Sequence, residues 1–373
     1  MGRGDPRGAG PVAMNAPLDA TALPTASVRT ELALATLEES AASSDRPMRR
    51  RVMWFLVRRI TQAIPILIMV GVINFTLLNL APGDFAQVLV GNAGGASADY
   101  LDQLRQSFGL DQPLWIRLVN YLARLARFDL GYSYSAHASV LALIGQRVTA
   151  TLLLTGAALA MAVVLGVCGG FLSSLRPGGG LDRLLSAVAV IIYATPSFLL
   201  GLALIILFSV KLRWLPAGGL FDAIPPTTWS GALASLLAHL LLPAVTLALF
   251  FASIYLRVTR TAMLEVRGLD YVRTARAAGL PPLRVARRYV LRNALLPVVT
   301  IIGLQAGTLL GGAILVEVVF AWPGLGRLAF EAVFQRDYNL LSGVVLCGAV
   351  AVLAVNILVD LLYSWLDPRI DLQ

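Results

Sequence analysis

Lysine is nearly missing from this chain. Of the 30 basic residues among 373, only Lys211 is a lysine, and it lies in the stretch SVKLR. A GxxxxGK[ST] loop needs its lysine on the phosphates, so the chain has no nucleotide-hydrolysing P-loop of its own. Histidine and cysteine are scarce too, at two each. His137 and His239 lack ligand spacing, so neither a zinc set nor a disulfide framework is expected. Cys168 and Cys347 fall in apolar runs and read as small buried hydrophobes. The chain contains no HExxH and no GxSxG, which removes the common intramembrane hydrolase signatures. Charge of either sign is sparse at 14%, against roughly 25% in a typical soluble domain. By contrast 57% of residues are hydrophobic and the mean hydropathy is +0.75. So apolar a chain has too little polar surface for a water-soluble fold, and a membrane protein is expected.

A hydrocarbon core about 30 Å thick is crossed by about 20 apolar residues in a helix. Six runs reach that length: 60–80, 149–172, 184–210, 233–256, 294–318 and 340–364. An all-α membrane protein of six spans follows. Of the 30 basic and 21 acidic residues, only Glu317 and Asp360 lie inside these runs. A charge at the bilayer centre costs about 2.5 kcal/mol or more, which accounts for the exclusion. Twenty-one of the basic residues fall in 1–59, 173–183, 257–293 and 365–373, and nine in 81–148, 211–232 and 319–339. The positive-inside bias then puts both termini and the 257–293 loop in the cytoplasm. The net charge of +9 is mostly this topology signal, and no nucleic-acid partner is expected.

Residues 1–50, rich in Ala, Pro, Ser, Thr and Gly, read as a disordered cytoplasmic tail ahead of a transmembrane domain over 51–373. Met48 is an alternative start, and no cleavable signal peptide is visible. The long segment 81–148 is expected outside. It opens on a helix stop, Ala81-Pro82-Gly83-Asp84, and runs through a glycine-rich patch at 91–96. Around 112–127, Trp115, Leu118, Val119, Leu122 and Leu125 recur at helical spacing with Arg117, Arg124 and Arg127 among them. We read this as an amphipathic helix packed on neighbouring outer segments, with a membrane-surface helix as the alternative.

The most informative stretch is 257–297, RVTRTAMLEVRGLDYVRTARAAGLPPLRVARRYVLRNALLP. It is too polar to span and too patterned for a random linker. Residues 269–278 read as a short helix. Gly279 follows as a residue that tolerates the left-handed conformation after a helix. Pro281 and Pro282 suit the first turn of a second helix. There Arg284, Arg288 and Arg292 recur every four residues on one face, with Leu283, Ala286, Tyr289 and Val290 as the apolar face. Such a helix-turn-helix, joined directly to two spans, suits a lever: a push on the short helix moves both spans as rigid bodies. A juxtamembrane loop that binds anionic lipid is the plainer alternative. A voltage sensor is excluded, because Glu265, Asp270, Gly279 and two prolines interrupt the arginine pairs and the stretch is polar.

This loop resembles the EAA loop of ABC importer permeases. Arg273-Thr274-Ala275 stands where the generic family has Glu-Ala-Ala, with Gly279 and Leu296-Pro297 in the later positions. DYVRTARAAGL closely resembles the version in the dipeptide/oligopeptide/nickel permeases. Further stretches agree in order: RRITQAIPILI…LAPGD at 58–84, FGLDQPLW…FDLGYSYS at 108–135, RVTATLLL at 147–154, YATPSFLLG at 193–201 and WLPAGG at 214–219. LRNALLPVVTIIGLQAGTLLGGAILVEVVFAWPGLGRL at 291–328, RDYNLL at 336–341 and NILVDLLYSWLDPRI at 356–370 complete the set. The APGD and FDLGYSYS stretches point to the first of the two permease subunits in such systems. The resemblance implies a type I ABC importer permease fold with a cytoplasmic coupling helix, in a bacterial or archaeal plasma membrane. It implies a transport subunit rather than an enzyme, with no cofactor of its own and with ATP and Mg held by partners. Those partners are a second homologous permease subunit, two ABC ATPase subunits and an extracytoplasmic solute-binding protein, besides membrane lipid. Short peptides are the implied cargo, with nickel chelates or another small solute as the alternative. Asp270, Tyr271, Arg273, Ala275, Arg276, Gly279, Pro281, Arg284, Arg287 and Arg288 would form the ATPase-coupling loop.

Polar residues within the spans carry a separate expectation, since intramembrane polar groups are functional candidates by default. Asn74, Gln305 and Glu317 are candidates for the pathway or its gate, and an interfacial ion pair is the plainer reading of Glu317. Asp360, four residues from Asn356, is expected to bond at the base of the bundle. Gly303, Gly307, Gly311 and Gly312 form a small-residue stripe that favours close packing against the sixth span or a partner.

Overall fold

A computed structural model describes residues 48–80, 103, 106, 111–222, 224 and 228–366. The expected tail at 1–47, the stop at 81–84 and the glycine patch at 91–96 lie outside the described residues. The chain divides into two units, Met1–Val57 and Arg58–Gln373. Helix α1 (Met48–Leu80) begins three residues inside the stretch that composition assigns to the tail. Its opening turns are the described part of the first unit, and α1 from Arg58 together with every later element belongs to the second.

Helix α2 (Leu114–Ala126) starts after Pro113, whose carbonyl accepts from the N–H groups of Ile116 and Arg117. It packs on α1. Leu122 would lie 3.3 Å from a Cβ placed on Gly71, and the Phe75 and Tyr121 rings are 5.6 Å apart. Leu114, Trp115 and Val119, nearer its start, stay exposed. A short antiparallel hairpin follows, β1 (Tyr132–Ser133) with β2 (Ala138–Ser139). Ser139 caps α3 (Val140–Leu175) by accepting from Ala142 N.

Then come α4 (Gly180–Ala194), α5 (Ser197–Leu204) with a π-helical continuation Ile205–Lys211, and α6 (Trp229–Val266). The short α7 (Asp270–Ala277) leads to α8 (Pro282–Arg284), a π-helical stretch Val285–Leu291 and α9 (Arg292–Val319). The chain closes with α10 (Leu325–Phe334) and α11 (Tyr338–Leu366).

Among the described residues four helices are long and apolar enough to cross a membrane: Val57–Leu80, Val140–Leu175, Trp229–Val266 and Tyr338–Asp360. Two bent pairs raise the number to six if each is one span. Gly180–Ala194 with Ser197–Lys211 bends by 109°, and Pro282–Gln305 with Gly307–Val319 by 43°. A straight third span over 184–210 is therefore not what forms. Pro196 has no N–H for the helix ladder and forces Thr195 out of the helical region, to φ −88° and ψ 127°.

Packing between α3 and α6 is very close. A Cβ on Gly166 would stand 2.5 Å from Tyr255 Cβ, and one on Gly170 would stand 2.6 Å from the Leu256 carbonyl oxygen. Lipid supplies no hydrophobic drive between helices, so van der Waals contact between small residues holds such a pair. The central core joins Leu154 and Ala158 of α3, Leu247 and Phe251 of α6, and Leu309 and Val316 of α9. Two smaller clusters sit apart from it. One gathers Val140, Ile144, Leu328 and Leu340. The other gathers Met263, Val272, Ala275, Val285, Val290 and Ala294 below the 257–293 loop. The second marks what we call the basic end of the bundle. On the glycine stripe, a Cβ at Gly307 would meet Val352 Cγ1 at 3.0 Å, so that position packs on α11, while Gly311 faces open space.

Candidate functional site

At the basic end, α7 is held like a bolt. Asp270 stands in its first turn and Arg276 in its last, each complementing the helix dipole. The helix ends in a Schellman motif: Gly279 N–H donates to Arg276 O, and Leu280 N–H donates to Ala275 O. Gly279 sits at φ +74°, where a side chain is strained. Pro282 opens α8, and Pro281 stands just before it as the cap rather than inside the first turn. Val272, fully buried, and Ala275 anchor α7 on Met263 and Ala262 of α6 and on Phe171 of α3. The Tyr271 hydroxyl donates to Tyr289 O and accepts from Asn293 Nδ2 at 2.6 Å, which staples α7 to the π-helical stretch. Asp270, Arg273, Thr274 and Arg276 remain on the open face.

The π-helical stretch changes the arginine face. Val285 and Val290 both join the buried cluster. Five residues apart in an α-helix they would point about 140° apart, and only the wider i→i+5 winding brings both inward. Arg284, Arg287, Arg288 and Arg292 are all exposed, so the cations form a broad surface instead of one α-helical stripe. Leu283, expected on the apolar face, is 61% exposed, and Val285 takes its place.

Above α7 lies a polar knot that the sequence reading did not find. Asp182, 4% exposed at the start of α4, accepts from Arg260 Nε at 2.6 Å and Arg260 Nη2 at 2.9 Å. It also accepts from Gly178 N at 2.7 Å and from the Ser173 hydroxyl. The two-pronged guanidinium–carboxylate pair is the strong form of this interaction. Arg267 donates to the carbonyls of Ser174 and Leu175 at the end of α3, where a cation meets orphan helix acceptors. Burial, with Arg276 nearby, pulls the Arg267 guanidinium below its ordinary value. The ends of α3 and α6 and the start of α4 are thus one rigid unit, with α7 seated against it. The only sequence hint was that Asp182 and Arg260 flank apolar runs.

The pathway candidates lie in separate neighbourhoods. Asn74, 7% exposed, donates to Ser342 Oγ at 2.8 Å and to the Tyr121 hydroxyl at 3.2 Å, so it ties α1, α2 and α11 together. Glu317 is fully buried. Thr151 Oγ1 donates to it at 2.6 Å and Arg327 N at 3.0 Å. Thr151 in turn accepts from Leu325 N at 2.7 Å. The carboxylate therefore caps the start of α10 and binds it to α3. Among the described residues no side-chain cation pairs with it, so the interfacial ion pair does not form. Gln305 is half-buried on α9, and its Oε1 meets no donor among the described residues. Asp360 pairs with Arg59 at 2.6 Å.

These helices and their packing define a helical membrane protein, and its sequence relatives say which kind. The family described as the inner membrane component of binding-protein-dependent transport systems matches residues 162–372. The N-terminal membrane component of the same systems matches 52–155. The chain belongs to this family. It is 39% identical over 317 residues, 85% of this chain and 98% of the relative, to a peptide permease protein of Brucella suis. It is 38% identical over 333 residues to the di/tripeptide transport system permease protein of Pseudomonas aeruginosa, covering 86% of this chain and 99% of that one. The dipeptide transport system permease protein of Escherichia coli K12 is 39% identical over 333 residues, covering 85% and 98%. A structure of the inward-facing MetNI methionine ABC transporter matches with a TM-score of 0.49 at 21% identity, covering 60% of this chain and 96% of that one.

Proposed function

We propose that this chain is one of two membrane subunits of an ATP-driven, binding-protein-dependent importer of short peptides. Both termini and the α7 loop face the cytoplasm, in keeping with the arginine distribution. A second permease subunit completes the pathway, two ABC ATPase subunits dock below, and a solute-binding protein delivers peptide from outside. ATP and Mg are bound by the ATPases, and this chain binds no cofactor.

The observation that carries the reading is α7 itself. Val272 and Ala275 fix one face to α3 and α6, while Asp270, Arg273 and Arg276 leave a charged face open. Gly279 and Pro281 hold the elbow, and Arg284, Arg287 and Arg288 extend the cationic surface onto the next helix. A firmly seated helix can transmit a push where a loose loop would absorb it. ATPase closure under this surface would tilt α6 and α9 together.

Mild-detergent purification of the chain from its native membrane tests the reading. A second permease and one or two ATPases should co-purify with ATPase activity, and the complex in vesicles should take up peptides when supplied with its binding protein. A chain that purifies alone and ATPase-free, under conditions that preserve a known importer, would sink the assignment.

A further inference from the structure

Arg257 stands apart from the other arginines of the 257–293 loop. Its guanidinium lies 4.7 Å over the ring of Tyr193, and that ring is stacked on Phe250 at 5.4 Å and 18°. Arg257 is exposed, Tyr193 is 45% exposed, and among the described residues no carboxylate pairs with Arg257.

The direction in which this side chain reaches is informative. Arg260, one turn further along α6, bonds Asp182 at the start of α4. Tyr193 is eleven residues beyond Asp182 on α4, about 16 Å further from the basic end at 1.5 Å per residue. Phe250 is two turns from Arg257 in the same direction. Arg257 therefore points away from the basic end and into the apolar zone. A lipid-facing arginine does the opposite and snorkels to the nearest water.

A second observation at the same place agrees. Tyr193 ends two residues before Thr195-Pro196, where α4 and α5 break by 109°, and Ala194 and Pro196 are exposed. Broken backbone at membrane depth survives only where protein covers it or water reaches it. An exposed guanidinium with a ring on one side and no carboxylate among the described residues, set beside an exposed break, has room to take an anion.

Building on the importer reading, we propose that Arg257, cradled by Tyr193 and Phe250 beside the α4–α5 break, is a carboxylate subsite on the solute pathway. It meets the free C-terminal carboxylate of a peptide in transit. A guanidinium matches a planar carboxylate in two-pronged fashion. The two rings offer a flat apolar wall for the rest of the peptide. Exposure keeps the contact weak enough for release, as conduction through any multi-site path requires.

The test uses the whole complex with its binding protein, in vesicles, and a mixture of radiolabelled di- and tripeptides as the probe. Arg257→Gln should lower the maximal uptake rate about tenfold, the loss of one charge-assisted contact. Arg257→Lys should restore most of it, and binding-protein-stimulated ATPase activity should stay within about twofold of the wild type. The effect should be equal in pure phosphatidylcholine vesicles and in vesicles with added phosphatidylglycerol. Unchanged uptake by Arg257→Gln overturns the subsite. Parallel loss of ATPase activity overturns it in favour of a structural role. An effect confined to phosphatidylglycerol vesicles overturns it in favour of a lipid headgroup. If the wild-type complex itself shows no ATP-dependent uptake, the importer reading fails first and the subsite falls with it.

Discussion

The two ends of the bundle bury their acids in opposite ways. At the basic end, Asp182 meets a cation from another helix, Arg260, and the pair joins α4 to α6. At the other end, Glu317 and Asp337 meet hydroxyls and backbone N–H groups. Glu317 takes Thr151 and Arg327 N, while Asp337 takes Ser133 and caps α11 through Leu340 N. A side-chain ion pair between helices fixes whole helices to each other. A carboxylate on N–H groups fixes the start of one helix and the turn before it, with a single neutral hydroxyl as its tie to another element. The first arrangement suits an end that carries load, and the second an end that must keep a loop in shape. The polar chemistry thus suits the proposal that force enters at the basic end.

Removing a buried acid should produce the largest loss of stability, and Glu317 is the first case. Glu317→Ala leaves the Thr151 hydroxyl and the Arg327 N–H without their acceptor in a fully buried place. The cost should be about 3 kcal/mol, at roughly 1–3 kcal/mol for each abandoned group. Thermal unfolding of the purified complex in detergent would show it. Folded complexes that survive should keep the wild-type ratio of peptide taken up to ATP hydrolysed.

Asp182→Ala should cost about as much stability and more coupling, because it also leaves the Ser173 hydroxyl and the Gly178 N–H without their acceptor. Stranding a buried ion partner costs about 3–5 kcal/mol, and the 29% exposure of Arg260 reduces the ion-pair part to roughly 2 kcal/mol, before the two other donors are counted. Peptide uptake per ATP should fall, because α4 no longer moves with α6. If the ratio falls in Glu317→Ala and holds in Asp182→Ala, the contrast between the two ends is wrong.

Legibility in the sequence followed the range of the interactions. The short helix at 269–278 appears as Asp270–Ala277, and the glycine after it takes its positive φ, because capping chemistry spans only a few residues. The six apolar runs are legible for the same reason, since length and composition are local. The 109° break was hidden inside one of them: Thr195-Pro196 lies in a run apolar enough to pass as a single span. The Asp182–Arg260 pair joins positions 78 residues apart, and Glu317 joins Thr151 across 166. Nothing in either neighbourhood announces the partner. The π-helical stretch at Val285–Leu291 was missed because its buried pair, five apart, fits neither an α-helical nor a strand period.

Gly279→Ala sharpens the comparison within the basic end. Nothing lies within 4 Å of a Cβ there, so the cost comes from φ +74° alone. It should be about 1 kcal/mol. The elbow should loosen, and uptake per ATP should fall by more than so small a stability loss explains. A drop in stability with an unchanged ratio would make the elbow a structural turn only.

The smallest stability effect should belong to the open face of α7. Arg273 and Asp270 pair at 3.5 Å with side chains 71% and 96% exposed, and such a pair contributes next to nothing. Reversing charge at Arg273 and Arg276 together should therefore barely move the unfolding temperature, since Arg276 gives up only an exposed contact with the helix dipole. The same double change should weaken retention of the ATPases during purification, and raising the salt should weaken it further in the wild type, since exposed charges are screened. The nearly unmoved unfolding temperature and the lost partner belong together: a face that holds almost nothing of its own chain is free to hold another. If the double reversal keeps the ATPases bound as firmly as the wild type at every salt concentration, the cations of α7 are a topology signal and no more. Contact with the ATPase would then have to rest on apolar and backbone groups.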